Sequence, residues 1–339
     1  MNIPSRFLGL LIVGIAIAFL AAYPGRAGSQ PVATKQVQGN IPTIPTSPQQ
    51  IPLVTASAAY GVDLSSSEQI YNDRNAMFLL PVNDTLPRPL RNTVAGDFIS
   101  QSRAALLYDI KNGRYLFADN IDEELPVASV TKLMAAMVIL DYVKPDAEIV
   151  VKREYINVDG DGADLYAGEV LRAEDLLKIM LISSSNDAAL AFDGYLREKN
   201  ISLVSEMNRK AAELGMSSTR FLDPAGLNDD GYSTARDILR MAQEVDKYPI
   251  VWSILRLINT QVHSRDNKFT HSLRSTNHLL SSLSGIIGGK TGNTPKAKGS
   301  LVLLIDRNNT LLMSVVLGSD DRFGQTRKLI EWSDQAYLW

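Results

Sequence analysis

The sequence contains no cysteine and only three histidines among its 339 residues. Without thiols, both a disulfide framework and a thiolate metal site are excluded. None of the histidines (His263, His271 and His278) forms the H-E-x-x-H pattern of a zinc peptidase. We therefore expect neither a metal ion nor a cofactor.

An excess of positive charge is also missing. Lysine and arginine number 34 against 37 aspartates and glutamates, so the net charge at pH 7 is -3. Proteins that bind nucleic acids usually present a basic face to the phosphates, and we expect no such partner here. The hydrophobic fraction of 45% is that of an ordinary globular protein.

The N-terminus carries an apolar run, residues 7–23, directly after Arg6. This run is shorter than the roughly 20 residues that a membrane-spanning helix needs. It matches the hydrophobic region of a secretory signal peptide, and residues 25–27 (Gly, Arg, Ala) offer a small-x-small cleavage pattern. We predict that residues 1–27 are a signal peptide or an uncleaved membrane anchor, and that the remainder is exported.

The following segment, residues 28–97, is rich in proline, glutamine, serine and threonine and shows no sustained hydrophobic period. Such a composition buries too little apolar surface to offset the entropy of ordering, so a flexible spacer is predicted. Residues 98–339 are predicted to form the folded domain.

Within that domain, strand patterns occur near both ends and helical patterns fill the middle. The predicted strands are residues 103–109, 114–118, 286–291, 299–306 and 310–317. The predicted helices are residues 129–143, 173–183, 187–199, 203–214, 234–247 and 322–339. Strands from both ends are expected to share one antiparallel sheet, which is an α+β arrangement.

Three short motifs carry the chemistry, and the first is S-V-T-K from Ser129 to Lys132. Residues three apart on a helix lie on the same side, so Lys132 is expected beside Ser129. A neutral lysine there accepts the serine proton, and burial or a second cation such as Lys290 lowers its pKa towards that state. Taken alone, the motif equally fits an N-cap serine followed by a surface lysine.

The second motif is S-S-N, residues 184–186, and the third is K-T-G, residues 290–292. Ser184 is a candidate proton relay, and Asn186 a hydrogen-bonding partner of a peptide and of Lys132. Lys290 and Thr291 offer a cation and a hydroxyl to a carboxylate. Gly292, on a predicted edge strand, permits close approach of a peptide that adds to the sheet. Alone, these motifs also fit a helix cap and a β-turn.

The backbone N–H groups of Ser129 and Asn293 are the candidates for an oxyanion hole. S-x-x-K, S-x-N and K-T-G in this order are typical of penicillin-binding proteins. The stretches P-V-A-S-V-T-K-L-M (126–134), F-L-D-P-A-G-L (221–227) and Y-S-T-A-R-D (232–237) add to this pattern, and T-N (276–277) followed by L-L (279–280) and G-K-T-G (289–292) completes it. Over residues 100–339 the chain resembles the low-molecular-mass penicillin-binding proteins of the D-alanyl-D-alanine carboxypeptidase family.

The resemblance implies a β-lactamase/transpeptidase-like fold, in which a helical subdomain is inserted between the N- and C-terminal strands of a sheet flanked by helices. It implies that Ser129 is acylated, that Lys132 is its base, and that Lys290 and Thr291 hold the carboxylate of D-alanine. Peptidoglycan peptides would be the substrates and β-lactams the acylating inhibitors. The location would be the periplasm or the outer face of the bacterial cytoplasmic membrane, with membrane contact only through the N-terminal segment if it stays uncleaved.

Several alternatives stay open. The domain ends where shorter members of the family end, some of which cleave cross-links as D,D-endopeptidases, whereas carboxypeptidase action on stem peptides is favoured here. A non-catalytic penicillin sensor or wall-binding module would keep the same motifs. A β-lactamase is less favoured, because the E-x-x-L-N segment that class A enzymes use for deacylation is not found between Asn186 and Lys290.

Overall fold

The computed structural model describes residues 89–156 and 165–339. The predicted signal peptide or anchor (1–27) and nearly all of the predicted spacer (28–97) lie outside the described residues. The strands are β1 (Leu90–Arg91), β2 (Ala104–Asp109), β3 (Arg114–Asp119), β4 (Glu148–Val150), β5 (Val170–Arg172), β6 (Asn259–His263), β7 (Thr270–Arg274), β8 (Ile286–Thr294), β9 (Lys298–Arg307), β10 (Thr310–Ser319) and β11 (Tyr337–Leu338). The α-helices are α1 (Thr131–Tyr142), α2 (Ala173–Ile182), α3 (Asn186–Arg197), α4 (Leu203–Glu213), α5 (Ala235–Glu244), α6 (Pro249–Leu255) and α7 (Arg322–Ala336).

A five-stranded antiparallel sheet, in the order β3-β2-β10-β9-β8, is the centre of the fold. The pairing of β2 with β10 joins strands from the two ends of the domain, and the helices α1–α6 lie between them in the sequence. The predicted α+β class is therefore confirmed. Strand β8 lies at one edge of the sheet.

The sheet separates two apolar clusters, as the alternation of side chains along a strand requires. In β9, Leu301 and Leu303 join the cluster of α7, whereas Val302 and Leu304 join the larger cluster formed with the other helices. Both faces of the central strands are thus covered. This explains why 299–306 and 310–317 are nearly continuous apolar runs rather than alternating ones.

Helix α1 runs through the helical layer with every side chain from Thr131 to Ile139 buried. The apolar period in its sequence, Leu133, Met137 and Leu140, predicts only one buried side. The helix is buried all round because α2, α3, α4 and α5 all pack against it. It is therefore a rigid platform for the residues at its N-terminus.

The C-terminal end differs from the prediction of a helix reaching Trp339. Helix α7 ends at Ala336, because Tyr337 and Leu338 instead pair with Arg91 and Leu90. Strand β1 lies inside the predicted spacer, so folded contacts begin before residue 98. Among the residues that the structure describes, no helix is long and apolar enough to cross a membrane.

Candidate active site

Ser129 lies half-buried in a 3-10 turn, Ala128–Val130, that leads directly into α1. Ala128 has a left-handed φ of 49°, which costs a non-glycine residue of order 1–3 kcal/mol. Two glycines surround this turn closely. A Cβ at Gly226 would lie 2.0 Å from the carbonyl oxygen of Ala128, and one at Gly292 would lie 3.1 Å from the Ser129 nitrogen. Both positions therefore need glycine for the turn to stay where it is.

Lys132 lies one helical turn beyond Ser129, and its side chain is fully buried. Its Nζ is 2.8 Å from Ser129 Oγ, 2.7 Å from Asn186 Oδ1 and 2.8 Å from the carbonyl oxygen of Ala225. An ammonium group would donate all three of these hydrogen bonds. A neutral amine would donate to the amide and carbonyl oxygens and accept the hydroxyl proton of Ser129. The site is thus compatible with both states of the lysine.

Asn186 is held in place by its neighbours in the second motif. Ser185 Oγ accepts a hydrogen bond from the backbone N–H of Ala188 at 3.2 Å and so caps α3. Because Ser185 provides the cap, the side chain of Asn186 is directed to Lys132 instead. The helix cap is therefore confirmed for Ser185, and the expected hydrogen bond between Asn186 and Lys132 is present, whereas the role of Asn186 towards a peptide stays a prediction.

Ser184 occupies the connection between α2 and α3, with a left-handed φ of 60°. Its Oγ accepts a hydrogen bond from Lys290 Nζ at 2.8 Å. Lys290 is 1% exposed and also donates to the carbonyl oxygen of Thr291 at 2.8 Å. The second lysine thus joins the edge strand β8 to the second motif.

The remaining residues of the third motif line the edge of β8. Thr291 is buried, whereas Asn293 is exposed and accepts a hydrogen bond from Arg322 Nη1 at 3.2 Å. Gly292 was expected to admit a peptide. In the structure a Cβ there would meet the chain's own Ser129 turn, 2.7 Å from the carbonyl oxygen of Val127. The glycine is therefore needed first for the contact between β8 and the nucleophile turn.

A cleft brings these groups together. Its lining residues are Ser129, Ser184, Asn186, Gly226, Leu227, Thr291, Gly292, Asn293, Thr294 and Arg322. The two lysines of the motifs lie behind this surface, each in contact with one lining serine. Among residues 89–156 and 165–339, no group of three or more His, Asp or Glu side chains is placed to hold a metal ion.

The loop after residue 222 is a part of the site to which the sequence motifs assign no role. The carboxylate of Asp223 accepts hydrogen bonds from the backbone N–H groups of Ala225, Gly226, Leu227 and Asn228, at 2.6–3.1 Å. These bonds fix the loop so that one of its carbonyl groups reaches Lys132. The stretch F-L-D-P-A-G-L is visible in the sequence, but only the fold shows that the carbonyl oxygen of Ala225 is the atom that binds Lys132.

Arg322 and Thr294 are further residues that the sequence did not single out, and Thr276 belongs to the T-N pair of the family pattern but had no role assigned. Arg322 is the first residue of α7, and Thr276 lies between β7 and β8, with its Oγ1 2.5 Å from Thr291 Oγ1. Thr294 ends β8 and donates to Asp229 Oδ1 at 2.6 Å. Arg322 and Thr294 line the cleft although neither belongs to a short motif, because long-range packing brings them there.

An α+β fold with a serine, a buried lysine one turn on and a second lysine on an edge strand defines the class of penicillin-binding serine peptidases. The sequence model of the D-alanyl-D-alanine carboxypeptidase family matches residues 92–321. The chain belongs to this family, peptidase family S11.

Individual relatives carry two different names. A D-alanyl-D-alanine endopeptidase of Pseudomonas aeruginosa is 34% identical over 244 residues, which are 70% of this chain and 78% of that protein. The D-alanyl-D-alanine carboxypeptidase DacF of Bacillus subtilis is 30% identical over 247 residues, which are 70% of this chain. The match spans 63% of the length of DacF.

Solved structures show the same fold. The crystal structure of the Streptomyces K15 DD-transpeptidase superposes with a TM-score of 0.66 at 26% identity, covering 71% of this chain and 99% of that one. A D-alanyl-D-alanine carboxypeptidase of Mycobacterium tuberculosis gives a TM-score of 0.66 at 24% identity, covering 74% and 98%. The predicted β-lactamase/transpeptidase-like fold is therefore confirmed.

Proposed function

We propose that the protein is a serine-type D-alanyl-D-alanine peptidase that acts on peptidoglycan stem peptides through an acyl-enzyme on Ser129, with carboxypeptidase action favoured. The observation that carries this proposal is the 2.8 Å contact between Lys132 Nζ and Ser129 Oγ. A nucleophile within hydrogen-bond reach of a base, which is itself oriented by further groups, is the arrangement of covalent catalysis. Asn186 and Ala225 are the groups that orient this base.

In the first step, the neutral amine of Lys132 takes the hydroxyl proton while Ser129 Oγ attacks the carbonyl carbon of the penultimate D-alanine. The C–O bond that forms turns the carbonyl into a tetrahedral oxyanion. The backbone N–H groups of Ser129 and Asn293 are proposed to stabilise it. In support, a Cβ on Gly292, the residue before Asn293, would lie only 3.1 Å from the Ser129 nitrogen.

In the second step, the C–N bond breaks and the terminal D-alanine leaves as an amine. We assign Ser184 as the relay that hands this amine a proton, so that the proton taken up by Lys132 finally leaves with the product. Lys290, which donates to Ser184 Oγ, compensates the negative charge that develops on that oxygen. Water then hydrolyses the ester on Ser129 by the reverse sequence of proton transfers.

The terminal carboxylate is proposed to bind between the hydroxyl of Thr291 and the cations of Lys290 and Arg322. Thr291 and Arg322 both line the cleft, and Lys290 lies directly behind it. A planar guanidinium is well suited to a carboxylate. β-Lactams, which carry a carboxylate next to a reactive amide, would acylate Ser129 in the same orientation.

The test is the release of D-alanine from a peptide that ends in D-alanyl-D-alanine. Ser129→Ala is expected to reduce release to background, while Ser253→Ala, an exposed serine on α6, is expected to leave it unchanged. Equal thermal melting curves of the three proteins would show that folding is not the cause. Retained activity in Ser129→Ala would refute the proposed nucleophile.

D,D-Endopeptidase action on cross-links is the second candidate, because the Pseudomonas aeruginosa relative is named an endopeptidase. The two activities differ in the leaving group: a carboxypeptidase releases a single terminal D-alanine, whereas an endopeptidase releases the second peptide of a cross-link. Digestion of purified peptidoglycan with mass analysis of the fragments distinguishes them. Carboxypeptidase action removes one terminal D-alanine, whereas endopeptidase action converts dimers to monomers, and acylation by penicillin without any cleavage would indicate a sensor.

We also propose that the protein works outside the cytoplasmic membrane, in the periplasm or at the outer face. The support is the apolar run 7–23 with the small residues that follow it, together with the location of a peptidoglycan substrate. Cell fractionation with mass analysis of the N-terminus tests this. Recovery of the full chain from the cytoplasm alone would contradict it.

A further inference from the structure

Thr276 is a residue outside the three motifs whose hydroxyl contacts one of them. Its Oγ1 lies 2.5 Å from Oγ1 of Thr291, and either oxygen can be the donor. Thr291 is 4% exposed and lines the cleft, whereas Thr276, in the connection between β7 and β8, is half-buried and is not a lining residue of the cleft. The pair is thus a hydroxyl that lines the cleft with a second hydroxyl beside it.

The backbone holds Thr276 in this place from two sides. Its N–H donates to the carbonyl oxygen of Ile182, the last residue of α2, at 3.2 Å. The N–H of the preceding residue, Ser275, donates to the carbonyl oxygen of Ile258 at 2.8 Å. Because Ile182 lies just before Ser184, the same connection supports both the second and the third motif. Thr276 is therefore a fixed partner for Thr291.

A hydroxyl has one proton to donate and two lone pairs to accept with. If Thr291 donates to Thr276, it presents only lone pairs to the cleft, and these repel a carboxylate. If Thr276 donates to Thr291, the proton of Thr291 is directed to a ligand. A hydrogen bond to a charged acceptor is stronger than one to a neutral acceptor, so a bound carboxylate selects the second arrangement.

We propose that Thr276 is a positioning residue that donates its hydroxyl proton to Thr291 and thereby sets the preference of the cleft for a free carboxylate next to the leaving amine. This inference rests on the proposed function of the site. It adds a specificity-determining residue to the peptidase and gives the class of ligand group it acts on, a carboxylate rather than an amide or ester.

The test compares two substrates that differ only in charge: an N-acylated peptide ending in D-alanyl-D-alanine, and its C-terminal amide. Thr276→Val keeps the shape of the side chain but removes the hydroxyl, and Thr276→Ser keeps the hydroxyl. For the free acid, kcat/KM of Thr276→Val should fall about 3- to 10-fold, the value of one hydrogen bond, while kcat/KM for the amide stays the same. Thr276→Ser should retain the wild-type ratio of the two substrates.

An unchanged ratio in Thr276→Val, or an equal loss on both substrates, would overturn the inference while the peptidase itself stands. If the wild-type protein cleaves neither substrate and is not acylated by penicillin, the proposed function fails and the inference fails with it. Should Thr276→Val not fold, Thr276→Ala, which only deletes atoms, carries the same expectation for the ratio.

Discussion

The contact between β8 and the nucleophile turn leads to a prediction for Gly292→Ala. The added Cβ would lie 2.7 Å from the carbonyl oxygen of Val127. Ordinary contact begins at 3.4 Å, so the two atoms would be 0.7 Å too close. The other close atoms are the Ala128 Cβ and the Ser129 nitrogen, both at 3.1 Å. Two of these three atoms belong to the backbone, so they cannot rotate away from the added Cβ as the end of a flexible side chain can.

Two effects of Gly292→Ala follow, one on stability and one on chemistry. Overpacking of this kind destabilises a protein by typically 1–3 kcal/mol. A shift of several tenths of an ångström between Ser129 and the edge strand also misplaces the nucleophile, and a misplacement of about 1 Å costs about 100-fold in rate. We expect acylation of Ser129 by a labelled penicillin to slow about 10- to 100-fold.

The matched control for this prediction is Gly288→Ala on the same strand. There the Cβ would meet Trp252 on α6, at 2.9 Å, so the position is comparably crowded, but its close neighbours are on α6 and not in the Ser129 turn. We expect a similar loss of stability in urea denaturation, with acylation within about threefold of wild type. Normal acylation in Gly292→Ala, or an equal loss of acylation in both variants, would refute the reasoning.

Three further predictions concern other contacts of the domain. Ser184→Ala should lower kcat for D-alanine release by about 10²–10⁴ and the free energy of unfolding by about 1–3 kcal/mol, because buried Lys290 loses one acceptor. A wild-type kcat would exclude Ser184 as the relay. Asp223→Ala leaves four backbone N–H groups without their acceptor, so it should lower the free energy of unfolding by about 1–3 kcal/mol. It should also slow acylation, because Ala225 no longer holds Lys132. An effect on stability alone would show that the loop does not position the lysine. Tyr337→Phe removes a 2.5 Å hydrogen bond to the carbonyl oxygen of Leu116. The free energy of unfolding, measured by urea denaturation, should fall by about 1 kcal/mol while kcat/KM stays the same. A changed kcat/KM would contradict a purely structural role for Tyr337.

The sequence predicts those parts of the site that depend on local geometry. Ser129 and Lys132 are three residues apart, and that spacing places both side chains on one side of the helix, so their contact was expected. The class of fold is predictable for a similar reason, because the strand and helix patterns follow each other along the chain. The predicted end of α7 at Trp339 is wrong, because the helix stops where Tyr337 pairs with Arg91, a residue far away in the sequence.

Most contacts between distant segments could not be predicted, although the hydrogen bond between Asn186 and Lys132 is an exception. The hydrogen bonds that Lys290 donates to Ser184 and to the carbonyl oxygen of Thr291 were not predicted, and its role as a second cation for Lys132 stays a prediction. The carbonyl group of Ala225 carries no side-chain signal at all, because every residue has one. Such partners are set by how the helical layer packs on the edge strand, which no spacing in the sequence encodes.

The central claim, that Ser129 is the acylated nucleophile, is tested most directly by locating the covalent adduct. The wild-type protein is incubated with penicillin, digested, and the fragments are analysed by mass spectrometry. We predict a single adduct of the mass of the opened β-lactam on the fragment that contains Ser129. An adduct on a different residue, or none after prolonged incubation of folded protein, would contradict the account.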